Sequence, residues 1–193
     1  MPNKHIKFAP YGRRTSLSLS LLCERYASKR RYEVRTCENQ KLDELIYELK
    51  RCRTISDYHS LFESNLLKSV IFNQLLIFSN EKYTRTLLFE NDLYELILIC
   101  WGKGQKSAIH DHAKSQCVMV CVSGLLKENV YHFRSTGIFW ESEKILPPFH
   151  VTKINNDVGL HEIINLKDSG SVSLHLYSPK ISSCTVYESV NAK

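Results

Sequence analysis

Two histidines flank one aspartate in the run Gly104-Gln-Lys-Ser-Ala-Ile-His110-Asp111-His112. Side chains alternate along an extended backbone, so His110 and His112 would share a face and could chelate one metal ion. Asp111 would project to the opposite face, which keeps it out of a two-histidine, one-carboxylate set. The third ligand must then come from a distant segment, and Gly159-Leu-His161-Glu-Ile-Ile-Asn165 offers His161. Further on, Ser173, His175 and Tyr177 alternate with Val172, Leu174 and Leu176, so a strand here carries a polar face opposite an apolar one. That polar face meets either water or a buried polar interior. Arg85 carries a planar fork able to bind a carboxylate through two charge-assisted hydrogen bonds, although a single arginine is more commonly a surface residue. Tyr83, two residues earlier, would share its face in an extended segment. Cys117 reads either as a small buried hydrophobe or as a thiol with chemistry of its own.

These residues need strands to hold them, and the chain has the pattern for strands. Leu42, Leu45, Ile46 and Leu49 have the spacing of an amphipathic helix, and more helix is expected from Ile55 to Phe78, with Ser56 as N-cap and Leu67, Val70, Ile71 and Leu75 on one face. After Asn80 the character changes. Tyr94–Trp101, Cys117–Val122, Leu125–Phe133, Ile163–Leu166 and Ser171–Tyr177 are β-branched, aromatic or leucine-rich and are separated by short loops with turn residues. Helices followed by many short strands predict a mainly β protein, a barrel or sandwich with the helices packed on one side.

A chain of 193 residues with 43% hydrophobic content suits one well-buried domain and an appendage. The formal charge of +6 is uneven: of 26 basic and 20 acidic residues, nine and two lie in residues 1–36, which leaves 17 and 18 in the remainder. The body is therefore close to neutral, and neither nucleic acid nor a membrane surface is expected as a partner. Seven cysteines at irregular spacing form neither a zinc framework nor an even disulfide set, which points to a reducing location. No apolar run reaches the roughly 20 residues that span a bilayer, so a soluble protein is expected. Residues 1–37 form a basic extension, read as a solvated tail, with a mitochondrial transit peptide as the alternative for its Arg- and Ser-rich, acid-poor composition. Residues 38–193 form the domain.

The order of the two histidine clusters resembles the two motifs of the cupin superfamily, jelly-roll β-barrels that hold a metal inside the barrel. Cys117 stands where most cupins have a glutamate, and this is similar to eukaryotic cysteine dioxygenases. Tyr83-Thr-Arg85, Ile-Cys-Trp101-Gly, Ile-His110-Asp-His112, Gly159-Leu-His161 and Ser173-Leu-His175-Leu-Tyr177-Ser178-Pro179 also resemble that family, over about Leu42 to Cys184. The resemblance implies Fe(II) on His110, His112 and His161, although three imidazoles suit zinc as well. It implies that Arg85, oriented by Tyr83, binds the substrate carboxylate, and that Ser173, His175 and Tyr177 form a hydrogen-bonded relay. It further implies a thioether cofactor joining Cys117 to Tyr177, a cysteine near the site entrance at Cys184, and a cis Ser178-Pro179 bond. Gln116 replaces a histidine of mammalian-like members, and Arg134–Lys153 diverges around Pro147-Pro148.

The implied activity is a dioxygenase that takes L-cysteine and O2 to cysteine sulfinate, in sulfur amino acid catabolism, as a cytoplasmic monomer. Two alternatives stay open: a dioxygenase of another small thiol such as 3-mercaptopropionate, and a non-catalytic metal-binding cupin. His5, His59, His132 and His150 match no motif and are expected at the surface or in loops.

Overall fold

The computed structural model describes residues 15–18, 28–31, 40–135 and 137–187. Helix α1 (Gln40–Leu49) buries Leu42, Leu45 and Leu49, as their spacing predicts. Helix α2 (Ile55–Glu63) begins at the expected residue, but its cap is Thr54, two residues before Ser56. The Thr54 hydroxyl accepts from the Asp57 amide at 3.2 Å and the Asp57 carboxylate accepts from the Thr54 amide at 2.8 Å, a reciprocal capping box. The helix expected to run on through Phe78 breaks at Ser64, whose hydroxyl donates to the Leu61 carbonyl at 2.6 Å and accepts from the Leu67 amide at 3.4 Å. Such side-chain bonds compete with the helical ladder. Ser64 thereby starts α3 (Asn65–Ser69), and a 3-10 turn at Asn73–Leu75 ends the helical part. Leu67, Val70 and Leu75 are buried as expected, but Ile71 is 64% exposed because α3 ends at Ser69 and Val70 is already extended, so Ile71 is no longer on the helical face.

The rest is strand. Two four-residue segments, β1 (Thr15–Ser18) and β2 (Ser28–Arg31), precede the helices. After them come β3 (Thr84–Glu90), β4 (Glu95–Trp101), β5 (Ile109–His110), β6 (Gln116–Ser123), β7 (Leu126–Arg134) and β8 (Gly137–Leu146). The last four are β9 (Val151–Ile154), β10 (Leu160–Asn165), β11 (Ser171–Ser178) and β12 (Ser183–Tyr187). One sheet has the order β1-β12-β5-β10-β7-β8 and the other β2-β3-β4-β11-β6-β9, all antiparallel except the parallel β2–β3 pair. These two facing sheets, with the helices packed on one side, make the mainly β barrel or sandwich that the sequence predicts.

The period of two decides which residue goes where. On β4, Leu96, Leu98 and Cys100 pack with Leu45, Phe62 and Leu67 of the helices, while Ile97, Ile99 and Trp101 turn into the space between the sheets. On β11, Val172, Leu174 and Leu176 take the helix side. Ser173, His175 and Tyr177 are nevertheless buried too, at 0%, 3% and 3% exposure, so their polar face lies inside the barrel and not in water.

Two findings depart from the sequence reading. Two strands, β1 beside β12 and β2 beside β3, arise within the stretch read as a solvated extension. The other residues of that stretch lie outside the described residues. Arg134–Lys153 forms β8 and β9 around the Pro147-Pro148 turn. The edge position of β8 explains its weak signal, since an edge strand tolerates the exposed Glu141, Glu143 and Lys144 that blur its alternation. Ser178-Pro179 is cis, as the resemblance implies. Among the described residues no helix is long and apolar enough to cross a membrane.

Gly159 opens β10 at φ +138°, where a Cβ would stand 2.7 Å from the Tyr131 carbonyl oxygen of β7. Gly159→Ala is therefore expected to destabilise the protein by on the order of 1–3 kcal/mol, read as a lower urea midpoint at unchanged slope. An unchanged midpoint would show that this backbone position is unstrained.

Candidate metal centre

His110 ends the two-residue strand β5, directly opposite His161 on β10. His112 has already left the strand, so its inward direction depends on what holds the loop. Asp111 points away, as expected, and its carboxylate accepts from the Thr185 amide at 2.8 Å, the Tyr187 hydroxyl at 2.9 Å and the Ala113 amide at 3.3 Å. On the other side the Asn156 carboxamide accepts from the His112 amide at 2.9 Å and donates to the Ala113 carbonyl at 2.8 Å. These two clamps hold a tight turn with Ala113 at φ 50° and bring the three rings to centroid separations of 4.7–5.0 Å.

Counting ring nitrogens shows what the cluster can do. His110 Nδ1 lies 2.9 Å from the Ala108 carbonyl, which can only accept, so Nδ1 carries the proton and Nε2 is left with its lone pair. His161 Nδ1 lies 2.8 Å from Glu128 Oε1 in the same relation. Both ring nitrogens of His112 are buried without a hydrogen-bond partner. An unsatisfied buried imidazole is costly, and a metal ion is the partner that fits it. One candidate nitrogen from each histidine lies within 4.8 Å of the others. Burial, with the neighbouring His161 charge second, lowers the His110 pKa to about 3 and holds His112 well below its ordinary value. Neutral imidazole is the form that ligates metal.

A second constellation abuts the first. Trp101 Nε1 donates to Ser173 Oγ at 2.8 Å, which leaves the serine proton to donate to His175 Nε2 at 2.8 Å. Burial, followed by the Arg85 charge, keeps His175 neutral, so its proton sits on Nδ1, 3.3 Å from the Tyr177 hydroxyl and 3.9 Å from Cys117 Sγ. Cys117 on β6 is the cross-strand partner of Tyr177 on β11. Burial and then mutual proximity raise the Tyr177 pKa well above its ordinary value; burial and then Glu128 raise that of Cys117. The Arg85 guanidinium lies 5.6 Å from the centre of the Tyr177 ring, which is itself 6.0 Å from that of His112. Tyr83 stacks on Trp101 at 4.5 Å, and Cys184 belongs to the same interior cluster as Cys117 and Tyr177.

All nine residues singled out from the sequence thus come together, whereas His59 pairs with Glu63, His132 with Glu141, and His150 is exposed. The sequence reading passed over Asn156, Trp101 as a donor, and Glu128 with Thr152. Glu128 was legible in principle, as an acid in the inward register of β7 between Leu126 and Val130. Its carboxyl would be raised by burial, but hydrogen bonds from His161 and Thr152 hold it below the usual range.

A two-sheet β barrel with three clustered, metal-competent imidazoles defines the class. The sequence pattern of cysteine dioxygenase type I matches residues 29–190, and the chain belongs to that family. It is 34% identical to cysteine dioxygenase type 1 of Bos taurus over 132 residues, 66% of this chain and 64% of that protein. The Homo sapiens protein of the same name is 35% identical over 116 residues, 58% of each chain. That of Danio rerio is 32% identical over 154 residues, 69% of this chain and 77% of that one. The chain thus spans less than two thirds of the length of the bovine and human relatives. Among solved structures, a protein with a double-stranded β-helix domain from Klebsiella pneumoniae aligns with a TM-score of 0.48 and 17% identity, over 61% of this chain and 95% of that one.

Because His110 and His112 are held neutral in the metal-free fold but protonate freely when unfolded, the unfolded chain binds more protons between 6.5 and about 3. Stability of the metal-free protein is expected to be full above that window and to fall as pH drops through it. Urea titrations in the presence of a chelator at stepped pH would read this directly, and a flat profile would show that the imidazoles are not buried neutral.

Proposed function

We propose that this chain is an L-cysteine dioxygenase, which adds both atoms of O2 to the cysteine thiol to form cysteine sulfinate, with Fe(II) on His110, His112 and His161. The observation that carries the reading is a buried interior in which the Tyr177 ring lies 6.0 Å from that of His112 and 5.6 Å from the Arg85 guanidinium, with Cys117 as its cross-strand partner. Membership of the cysteine dioxygenase type I family supports it. Fe(II) bound there would supply the one-electron chemistry that lets oxygen react with a thiol.

The protein's own residues do the rest. Arg85 binds the substrate carboxylate and so fixes where the thiol sits relative to the imidazoles. The relay from Trp101 through Ser173 and His175 places an N–H donor on the Tyr177 oxygen, which leaves the tyrosine proton free to point into the chamber. Burial of Ile97, Ile99, Met119 and Ile163 around them keeps bulk water out. A thioether between Cys117 Sγ and the Tyr177 ring would form with loss of the thiol and ring hydrogens and transfer of two electrons to oxygen. It would fix the phenol in place. Free thiols at Cys52, Cys100, Cys117, Cys121 and Cys184 fit a reducing cytoplasm, which we propose as the location, with the chain acting as a monomer.

Oxygen uptake and sulfinate formation with L-cysteine, 3-mercaptopropionate and cysteamine test the assignment. Cysteine is expected to be turned over fastest, and Arg85→Ala to lower kcat/KM for cysteine by about 2–5 kcal/mol in transition-state binding while affecting cysteamine, which lacks the carboxylate, far less. No sulfinate from cysteine would end the proposal, and faster turnover of 3-mercaptopropionate would reassign the substrate.

The cross-link is tested by intact mass after repeated turnover. A loss of about 2 Da is expected in the wild-type chain and in neither Cys117→Ser nor Tyr177→Phe. Peptide maps that recover only free Cys117 and unmodified Tyr177 would refute it.

A further inference from the structure

We propose that Glu128, anchored by Thr152, is a positioning residue for the metal centre, orienting the His161 ring and supplying the negative charge that the three imidazoles lack. The proposal rests on the three-histidine reading of the site. Leu126, Glu128 and Val130 share the inward face of β7 at 0%, 1% and 5% exposure, so a carboxylate occupies a register that is otherwise apolar. A buried acid is tolerated there only with partners for its oxygens.

Both oxygens have one. Glu128 lies opposite Ile163 and one diagonal step from His161, and its Oε1 accepts from His161 Nδ1 at 2.8 Å. Oε2 accepts from Thr152 Oγ1 at 2.8 Å. Thr152 sits on β9, in the opposite sheet, so the carboxylate is held from both walls of the barrel. Glu162, adjacent to His161 in sequence, has no such role. It faces the other side of β10 and is engaged by Asn129 at 2.9 Å, Tyr131 at 2.6 Å and Lys106 at 3.3 Å.

Two consequences follow for the centre. The Glu128 bond fixes the proton of His161 on Nδ1 and aims Nε2 at His110 and His112, so the ligand is preset in tautomer and direction. It also sets one negative charge against a dication whose ligands are neutral and whose chamber contains Arg85. A carboxylate behind a ligating imidazole raises the basicity of the ligand and favours the higher oxidation state of the metal.

Glu128→Gln keeps the volume and removes the charge, and Thr152→Val removes only the anchor. Purified chains are freed of metal with a chelator, and Co(II) affinity is then measured by competition with a chromophoric chelator, alongside near-ultraviolet circular dichroism of the metal-free form. Glu128→Gln is expected to bind about 10–100-fold more weakly with an unchanged metal-free spectrum, and Thr152→Val to show a smaller loss in the same direction. The Fe(III)/Fe(II) potential of Glu128→Gln is expected to rise, which a merely structural role would not produce. Should the Gln chain misfold, Thr152→Val and its potential decide. Wild-type affinity or an unshifted potential in the folded variant overturns the positioning role of Glu128 alone. A wild-type chain that binds no Co(II), or a His161→Ala chain that binds it as tightly as wild type, overturns the triad and the Glu128 role with it.

Discussion

The helix-backed sheet is buried on both faces, and the function proposed for the chain depends on that. A sheet with one wet face would carry Ser173, His175 and Tyr177 into solvent, where each would bond water. Here α1, α2 and α3 take up Leu96, Leu98, Val118, Val120, Leu174 and Leu176, and the strand period then leaves the alternate residues no direction but inward. Each polar group sent inside must find a protein partner, and the chain from Trp101 to Tyr177 is the outcome. The helices pack on the other face of the strand from the relay residues, yet they make the relay's burial possible.

Inside that dry space charge is scarce and consequential. Desolvation keeps His110, His112 and His175 neutral and keeps Cys117 and Tyr177 protonated, so charge falls to side chains such as Arg85 and Glu128. They stand apart, one over the Tyr177 ring and the other behind His161. A carboxylate-bearing thiol arriving between them would meet a cation for its carboxylate and neutral imidazoles near its sulfur.

The histidine loop shows how remote segments of chain share one task. Asp111 cannot ligate with its neighbours, yet through Thr185 and Tyr187 it ties the loop to β12, while Asn156 ties it to the turn that leads into β10 and His161. A change at either clamp would move His112 without touching a ligand.

Much of this was legible in the residues alone. The alternation in Val172–Tyr177, the helical spacing of Leu42, Leu45 and Leu49, and the His110–His112 pair are local patterns, set by the geometry of one strand or one helix, and the family resemblance carried Arg85, Cys117 and His161 to the same site. Local competition misled in places: Thr54 outcompeted Ser56 because only it has an acid three residues on, and Ser64 broke the helix by bonding its own turn. What tertiary structure alone decided is pairing between distant segments. Glu128 meets His161 across two strands and Thr152 across the barrel, Asp111 meets β12, and Cys117 lands opposite Tyr177 because β6 and β11 are neighbours at that register. Such contacts join residues dozens of positions apart, and sequence periodicity, which reports only which way a side chain faces, holds no information on what it will face.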